Sequence, residues 1–334
     1  MFMQYIIKAF ILFFSLNYAL YTSEYSTSDF FVEKKDVETG SSASISSGCL
    51  LRNPDCKHPV IFKQFYKKID ENFVQKEFSI LETLFHSGAL VPKPYCLEQQ
   101  KELGWQIIME DTGISLSQVD LSIRNISFRH ELILHLIEAL ESVHAIGYVH
   151  GDLSPNNITI KKKGFIQQQD RSRYVAPRHI DKYSVKLIDF GNTYRDGERY
   201  SLFSTTPLYG APERYGEGEG EEDGYIAQKA SDIFSLAVIV FKLYFTTGKE
   251  DALSLIERIA RKKITNQYML IGYMATSYAG DYEKEVDQRR TLPVCDPLSN
   301  LLRLSMHPDP KKRPSIQEFR EEYIRSYLSR KRYL

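Results

Sequence analysis

Two carboxylates and an amide stand out in this 334-residue chain for the chemistry their spacing allows. Asp152 and Asn157 lie in the run His150-Gly151-Asp152-Leu153-Ser154-Pro155-Asn156-Asn157-Ile158, and Asp189 follows in Leu187-Ile188-Asp189-Phe190-Gly191. Their side chains are hard oxygen donors of the kind Mg2+ takes, an ion that keeps several waters and completes its octahedron with phosphate oxygens. A carboxylate in such a set can also accept the proton of an attacking hydroxyl. These residue types therefore suit phosphoryl transfer, which asks a protein for orientation and charge more than for covalent help. Further along, Ala211-Pro212-Glu213 and Lys312-Arg313-Pro314-Ser315 offer an acid and a base. Each run is short enough to arise by chance, whereas all of them in this order are not.

Such residues need elements to hold them. From about Asp29 to Glu110 short apolar runs alternate with turn residues, broken by one helical stretch from Asp70 to His86, which predicts a small sheet-rich lobe. After Ser115 helix signals dominate: Leu132, Leu136, Leu140 and Val143 recur every three or four residues, and Gly147 ends the run. Ile233 to Phe245 is apolar around nearly its whole circumference, as in a helix at the centre of a lobe, and is shorter than the roughly 20 residues of a membrane span. Lys161 to Tyr183 and the acidic, glycine-rich Gly216 to Gly224 read as solvated loops. Lysine plus arginine and aspartate plus glutamate balance at 43 each, so no global field draws nucleic acid or an anionic membrane, and any anion site is local.

The N-terminus differs from the rest. Lys8 precedes an apolar stretch from Ala9 to Leu16, with Tyr18 to Leu20 beyond, which reads as a secretory signal peptide or signal anchor over residues 1–21. The remaining alternative is a buried N-terminal strand or helix. Cys49, Cys56, Cys96 and Cys295 fit no zinc spacing, and in a secreted chain an even count allows two disulfides. Cys49 and Cys56, expected to flank a hairpin, are the first candidate pair; the opposite reading is four inert thiols.

Taken together, the His-Gly-Asp run, Asp189-Phe190-Gly191, Ala211-Pro212-Glu213 and the buried helix downstream resemble the eukaryotic protein kinases. The resemblance implies an α+β, bilobal protein-kinase-like fold with a small β-rich N-lobe (33–110) and a larger helical C-lobe (115–327), after a linker (22–32) and before a tail (328–334). It implies Asp152 as the carboxylate that orients and deprotonates the acceptor hydroxyl, and Asn157 and Asp189 as ligands of Mg2+. Val60-Ile61-Phe62-Lys63 resembles the strand ending in the phosphate-binding lysine, with Glu77 as its helix partner. Gly40 and Ile45 fall in the phosphate-covering loop. Met109 matches the gatekeeper, with Glu110 to Thr112 offering backbone groups to adenine. Asp232 resembles the aspartate that braces the catalytic loop, and Arg313 the arginine that pairs with Glu213; losing one partner of that pair would cost about 3 to 5 kcal/mol. ATP, Mg2+ and a protein substrate follow as expected ligands and partners, with no nucleic acid.

Three departures shape what is expected of the chemistry. Glu38-Thr39-Gly40-Ser41-Ser42-Ala43-Ser44-Ile45 keeps one of three usual glycines, which limits backbone approach to phosphate and predicts weakened ATP affinity; otherwise Gly40 to Gly48 is a flexible surface turn. Gly151 replaces the arginine that a phosphorylated activation segment engages, so activity is expected without phosphorylation of Asn192 to Thr206. Ser154 replaces a lysine near the γ-phosphate. Thr206-Pro207-Leu208-Tyr209 still resembles the substrate loop of serine/threonine kinases and favours those acceptors. The sequons at Asn125 and Asn157 set a further condition, because a glycan on Asn157 would block the cleft. The chain is thus expected to be an ATP-dependent serine/threonine kinase of the secretory pathway or outside the cell, or membrane-anchored by its N-terminal segment. A pseudokinase scaffold and a small-molecule kinase of the aminoglycoside or choline type are the alternatives.

Overall fold

The computed structural model describes residues 25–40, 42–51, 59–101, 103–119, 126–162, 183–200, 206, 209–214, 225–245 and 297–331. The expected signal peptide, the two solvated loops, Asn125, Cys56 and Cys295 lie wholly or mostly outside them. Two compact units are present, one of residues 1–78 with 93–111, the other of residues 79–92 with 112–334.

The first unit is the expected sheet. Strands β1 (Phe30–Thr39), β2 (Ala43–Leu50), β3 (Pro59–Phe65), β4 (Pro94–Gln100) and β5 (Gly104–Glu110) run in the order β1-β2-β3-β5-β4, with every neighbouring pair antiparallel. Because side chains alternate along a strand, the sheet has two apolar faces. Phe30, Val60, Phe62, Cys96 and Ile108 form one core cluster. On the other face, Ala43, Phe65 and Ile107 meet Val74 and Phe78 of helix α1 (Glu71–His86). Helix α1 begins one residue later than its sequence pattern suggests because Asp70 is its cap, its carboxylate accepting the N–H groups of Asn72 at 2.8 Å and Phe73 at 3.3 Å. β1 starts within the expected linker, since Phe30 is buried against Phe62 and Tyr95.

Gly48 is no flexible turn; it sits inside β2, opposite Val60. A Cβ there would stand 2.0 Å from the Phe31 carbonyl oxygen and 2.6 Å from the Phe62 ring, so the close approach of β1 to β2 depends on its absence. Next to it, Cys49 is disulfide-bonded, its partner lying outside the described residues, while Cys96 is a free, buried thiol. The expectation of two disulfides therefore fails, and so does that of four thiols. Burial pushes the Cys96 thiol up to about 12, aided by the nearby Glu98 and Asp29 charges, which keeps it protonated and unreactive.

The second unit is mainly helical: α2 (Ile126–Ala145), α3 (Lys229–Phe245), α4 (Pro297–Ser305) and α5 (Ile316–Lys331), the last continuing past Tyr327. Leu132, Leu136, Leu140 and Val143 of α2 are fully buried, and Gly147, at φ 88°, turns the chain out of the helix. Ser231 to Phe241 of α3 are buried without a break, as an all-apolar circumference requires. Short strands complete the unit: β6 (Ile114–Ser115), β7 (Tyr148–Val149), β8 (Ile158–Lys162), β9 (Tyr183–Leu187), β10 (Tyr194–Arg195), β11 (Arg199–Tyr200) and β12 (Tyr225–Ile226). They pair antiparallel as β6-β8-β9, β10-β7 and β11-β12. No described helix is long and apolar enough to cross a membrane.

Gly48→Ala is expected to destabilise the first unit by about 1 to 3 kcal/mol through overpacking. Urea denaturation of the variant against wild type measures it, and an unchanged midpoint contradicts the close β1–β2 approach.

Candidate active site

Lys63 and Glu77 are the polar centre of the first unit. Lys63 Nζ lies 2.6 Å from Glu77 Oε1, and both residues are buried, at 7% and 3% exposure. Glu77 reaches this position because it shares the apolar stripe of α1 with Val74 and Leu81, three and four residues away. An acid on an apolar stripe needs a partner, and Lys63 on the facing strand supplies it. Register sets the rest of the face: Ile45, Lys63 and Ile107 are aligned across β2, β3 and β5. Met109, two residues beyond Ile107, packs on the same side against the Ala43–Phe65–Ile107 cluster. Gly40 forms the β1–β2 turn, donating its N–H to the Ala43 carbonyl at 2.8 Å.

At the end of β5 the backbone is partly committed. Glu110 donates its N–H to the Lys93 carbonyl at 2.8 Å, and Asp111 donates to the Pro59 carbonyl at 3.0 Å. Two of the N–H groups among the backbone groups expected for adenine are thus used by the fold. The Thr112 side chain is itself held, its Oγ1 accepting the Thr159 hydroxyl at 2.8 Å.

The second unit carries Asp152 and Asn157 on the loop between β7 and β8, and Asp189 after β9. Asp232, in the first turn of α3 and 1% exposed, gathers that loop. Its Oδ2 accepts the His150 N–H at 2.7 Å and His144 Nε2–H at 2.9 Å, and its Oδ1 accepts the Gly151 N–H at 2.9 Å. Burial raises the Asp232 carboxyl, but the His144 hydrogen bond and charge, with His150 and the Gly151 N–H, outweigh it and hold the group below the usual carboxylate range. His150 bridges to the next motif: its Nδ1 accepts the Asp152 N–H at 3.3 Å, which leaves Nε2–H to donate to the Ile188 carbonyl at 3.1 Å.

Asp152, Asn157 and Asp189 come together through this frame. Asn157 Nδ2 donates to the Asp152 carbonyl at 2.8 Å and to its carboxylate at 3.2 Å, which leaves the amide oxygen as the free acceptor end of the side chain in these two bonds. β8 and β9 pair Ile158 with Leu187, and the Ile188 N–H donates to the Asn157 carbonyl at 3.0 Å, so Asp189 emerges beside Asn157. Asp189 is exposed and, at φ 66°, the one non-glycine with positive φ among the described residues. Such a conformation is held by its surroundings and concentrates at working sites. The second carboxylate oxygen of Asp152 is engaged from the other side, Oδ1 accepting the Thr206 N–H at 2.8 Å.

A family model described as a protein kinase domain matches residues 31–324. The chain belongs to the protein kinase family. A non-specific serine/threonine protein kinase of Candida glabrata is 26% identical over 199 residues, which are 59% of this chain and 12% of that protein. The serine/threonine-protein kinase RUNKEL of Arabidopsis thaliana is 30% identical over 185 residues, 54% of this chain and 12% of the relative. Cyclin-dependent kinase-like 2 of Pongo abelii is 22% identical over 293 residues, 80% of this chain and 52% of the relative.

Other kinase motifs meet as expected. Arg313 grips Glu213 with both nitrogens, at 2.6 and 2.7 Å, and spends its remaining donors on the carbonyls of His307, Pro308 and Ala230. Ser231 Oγ donates to the same carboxylate at 2.8 Å. At Gly151, φ is 80° and a Cβ would lie 2.1 Å from the Asn192 carbonyl oxygen. The residue in the place of an arginine thus leaves no room for any side chain. Ser154 is fully buried, its hydroxyl without a partner among the described residues. Sequence reasoning missed His144 and the Thr206 N–H. His144 could have been found as a polar residue on the Leu136–Leu140–Val143 stripe, whereas a backbone donor leaves no trace in residue types.

Asp232→Asn is expected to cost about 2 to 5 kcal/mol at pH 7. Because the folded carboxyl titrates below its unfolded value near 3.9, that stabilisation is full above about pH 5 and is lost as the pH falls through the folded value. Denaturation of both proteins from pH 7 to pH 3 checks it: the gap between them should narrow only in acid.

Proposed function

We propose that this kinase transfers the γ-phosphoryl group of Mg-ATP to serine or threonine hydroxyls of a protein substrate. The observation that carries the reading is the buried Lys63–Glu77 pair at 2.6 Å, which holds a lysine charged and fixed on the face shared with Ile45 and Met109. A scaffold gains little from an ion pair whose burial costs free energy. The donor set fits the metal: one amide oxygen and one exposed carboxylate are hard ligands, few in number, as suits an ion that brings its own waters and phosphate oxygens. Bound Mg2+ would supply charge neutralisation along the phosphates.

The residues divide the work. Lys63 would pair with the α- and β-phosphates, kept in line by Glu77. Asn157 and Asp189 would hold the metal. Asp152, fixed by Asn157 and the Thr206 N–H, would orient the acceptor hydroxyl and take its proton as the oxygen bonds to phosphorus and ADP leaves. The Thr206–Tyr209 run and the names of the relatives support serine or threonine as acceptors. Pseudokinase and small-molecule readings are weaker, the first for the pair just described, the second because Glu213 and Arg313 are joined.

The Ala9–Leu16 stretch supports, as a further part of the proposal, entry into the secretory pathway. Asn157 and Thr159 of the sequon are buried at 8% and 4% exposure, so a glycan there must precede folding. Mass spectrometry of protein from a secreting host decides between them: a glycan on Asn157 of active protein contradicts its role as ligand.

Asp152→Asn is expected to lower kcat on a mixed peptide array by about a hundredfold or more while Mg-ATP still raises the melting temperature. Equal activity in the variant removes Asp152 from the mechanism. Phosphatase-treated protein is expected to retain activity within about tenfold of untreated protein, since Gly151 offers no cation for a phosphate. A larger loss contradicts this.

A further inference from the structure

The activation segment, which follows Asp189, is tied down without a cation at the catalytic loop's second residue, Gly151. β10 pairs with β7, and the Asp196 N–H donates to the Gly147 carbonyl at 2.9 Å. β11 pairs with β12, and Gly197 donates to the Ala227 carbonyl at 2.8 Å. Between these two ribbons stands Tyr200. Its ring stacks on Tyr194 with centroids 4.3 Å apart and packs with Val149 and Ala227, the whole cluster being buried. Arg214, next to the Glu213 of the Arg313 pair, places its Cζ 5.7 Å from the Tyr200 ring.

Arg214 is what makes the cluster unusual. It is 5% exposed, and its Nε and Nη2 have no hydrogen-bond partner among the described residues. A guanidinium buried with two donors idle is costly, and Glu213, the nearest acid in sequence, is occupied by Arg313. Among the described residues its guanidinium lies over the face of the Tyr200 ring. Burial pushes the Tyr200 phenol above its usual range while Arg214 pulls the other way; a protonated phenol offers its oxygen to the guanidinium. Beside Tyr194, the Thr193 hydroxyl donates to the His150 carbonyl at 2.9 Å, and His150 Nδ1 accepts the Asp152 N–H at 3.3 Å, so the position of the segment reaches Asp152.

We propose that Tyr200, gripped by Arg214 and stacked on Tyr194, is a positioning residue that pins the activation segment and through it fixes Asp152, in the place a phosphorylated side chain would serve. The proposal rests on the kinase reading above and adds the device that makes it independent of phosphorylation.

The test compares wild type with Tyr200→Ala, Tyr200→Phe and Arg214→Met, reading peptide kcat, Mg-ATP affinity by thermal shift, and amide hydrogen exchange. Tyr200→Ala is expected to lower kcat about tenfold to a hundredfold with Mg-ATP affinity unchanged, and to speed exchange over residues 194–200 but not in α2. Tyr200→Phe, which keeps the stack and loses the polar phenol that Arg214 acts on, should lose about threefold to tenfold, as should Arg214→Met. A kcat for Tyr200→Ala within about twofold of wild type overturns the proposal. So does a loss accompanied by faster exchange throughout the second unit, which marks general destabilisation. If Tyr200→Ala does not fold, the other two variants decide, and wild-type kcat in both overturns it. Wild type that binds Mg-ATP yet phosphorylates nothing overturns the enzyme reading and the positioning role with it, while the exchange arm still reads whether Tyr200 holds the segment.

Discussion

A carboxylate taken out of water must find donors, and at Asp232 the donors it finds are the catalytic loop. Three N–H groups, from His144 at the end of α2 and from the backbone of His150 and Gly151, converge on two oxygens that are 1% exposed. Desolvation alone would neutralise the acid, yet the hydrogen bonds and neighbouring histidines keep it ionised. The charge therefore exists only while the loop is in place, and the loop stays in place because the charge would otherwise be stranded. His150 carries the order onward to Asp152 and to the Ile188 carbonyl, one residue before Asp189. Orientation of the groups proposed to react, which is most of what phosphoryl transfer demands, is thus traced to one buried ion.

The same logic repeats at two other places, and it explains why so much could be read from residue types. Glu77 lies on the buried stripe of α1 and Arg313 is buried beside Phe234; each charge in an apolar setting requires a partner, and Lys63 and Glu213 are those partners, pairings that the sequence yielded through its resemblance to protein kinases. The helix over 71–86, the buried helix ending at Phe245 and the sheet-rich first unit were likewise legible, because hydrophobic period reports which face is buried. What was not legible depends on backbone groups or on close approach. Gly48 looks like a turn residue and is a contact between strands; the Thr206 N–H has no side-chain signature; the Glu110 and Asp111 donors are spent on Lys93 and Pro59, which no spacing reveals. Cysteine count suggested two disulfides, but Cys96 faces the core of the sheet as a small apolar residue.

Gly151 shows how one observation changes meaning between sequence and structure. As a letter it is the loss of a cation. In three dimensions it is a requirement, since at φ 80° with the Asn192 carbonyl 2.1 Å from any Cβ the loop closes only on glycine. The tight passage brings Thr193 Oγ1 to the His150 carbonyl at 2.9 Å, a bond that ties the residues after Asp189 directly to the catalytic loop. Close packing of backbone has replaced a charged side chain.

The two solutions differ in how they can be regulated. A phosphoryl group facing an arginine adds one to three charge-assisted hydrogen bonds that another enzyme can remove, so order in the segment becomes conditional. Burying an aromatic side chain such as Tyr200 contributes about 1.5 to 3 kcal/mol of comparable ordering, but it is present whenever the chain is folded. Where the loop has closed around glycine there is no cation for a phosphate to engage, and conditional ordering at that position is sterically shut off. Control of the kind a removable phosphate gives would then need a cation other than the one absent at Gly151.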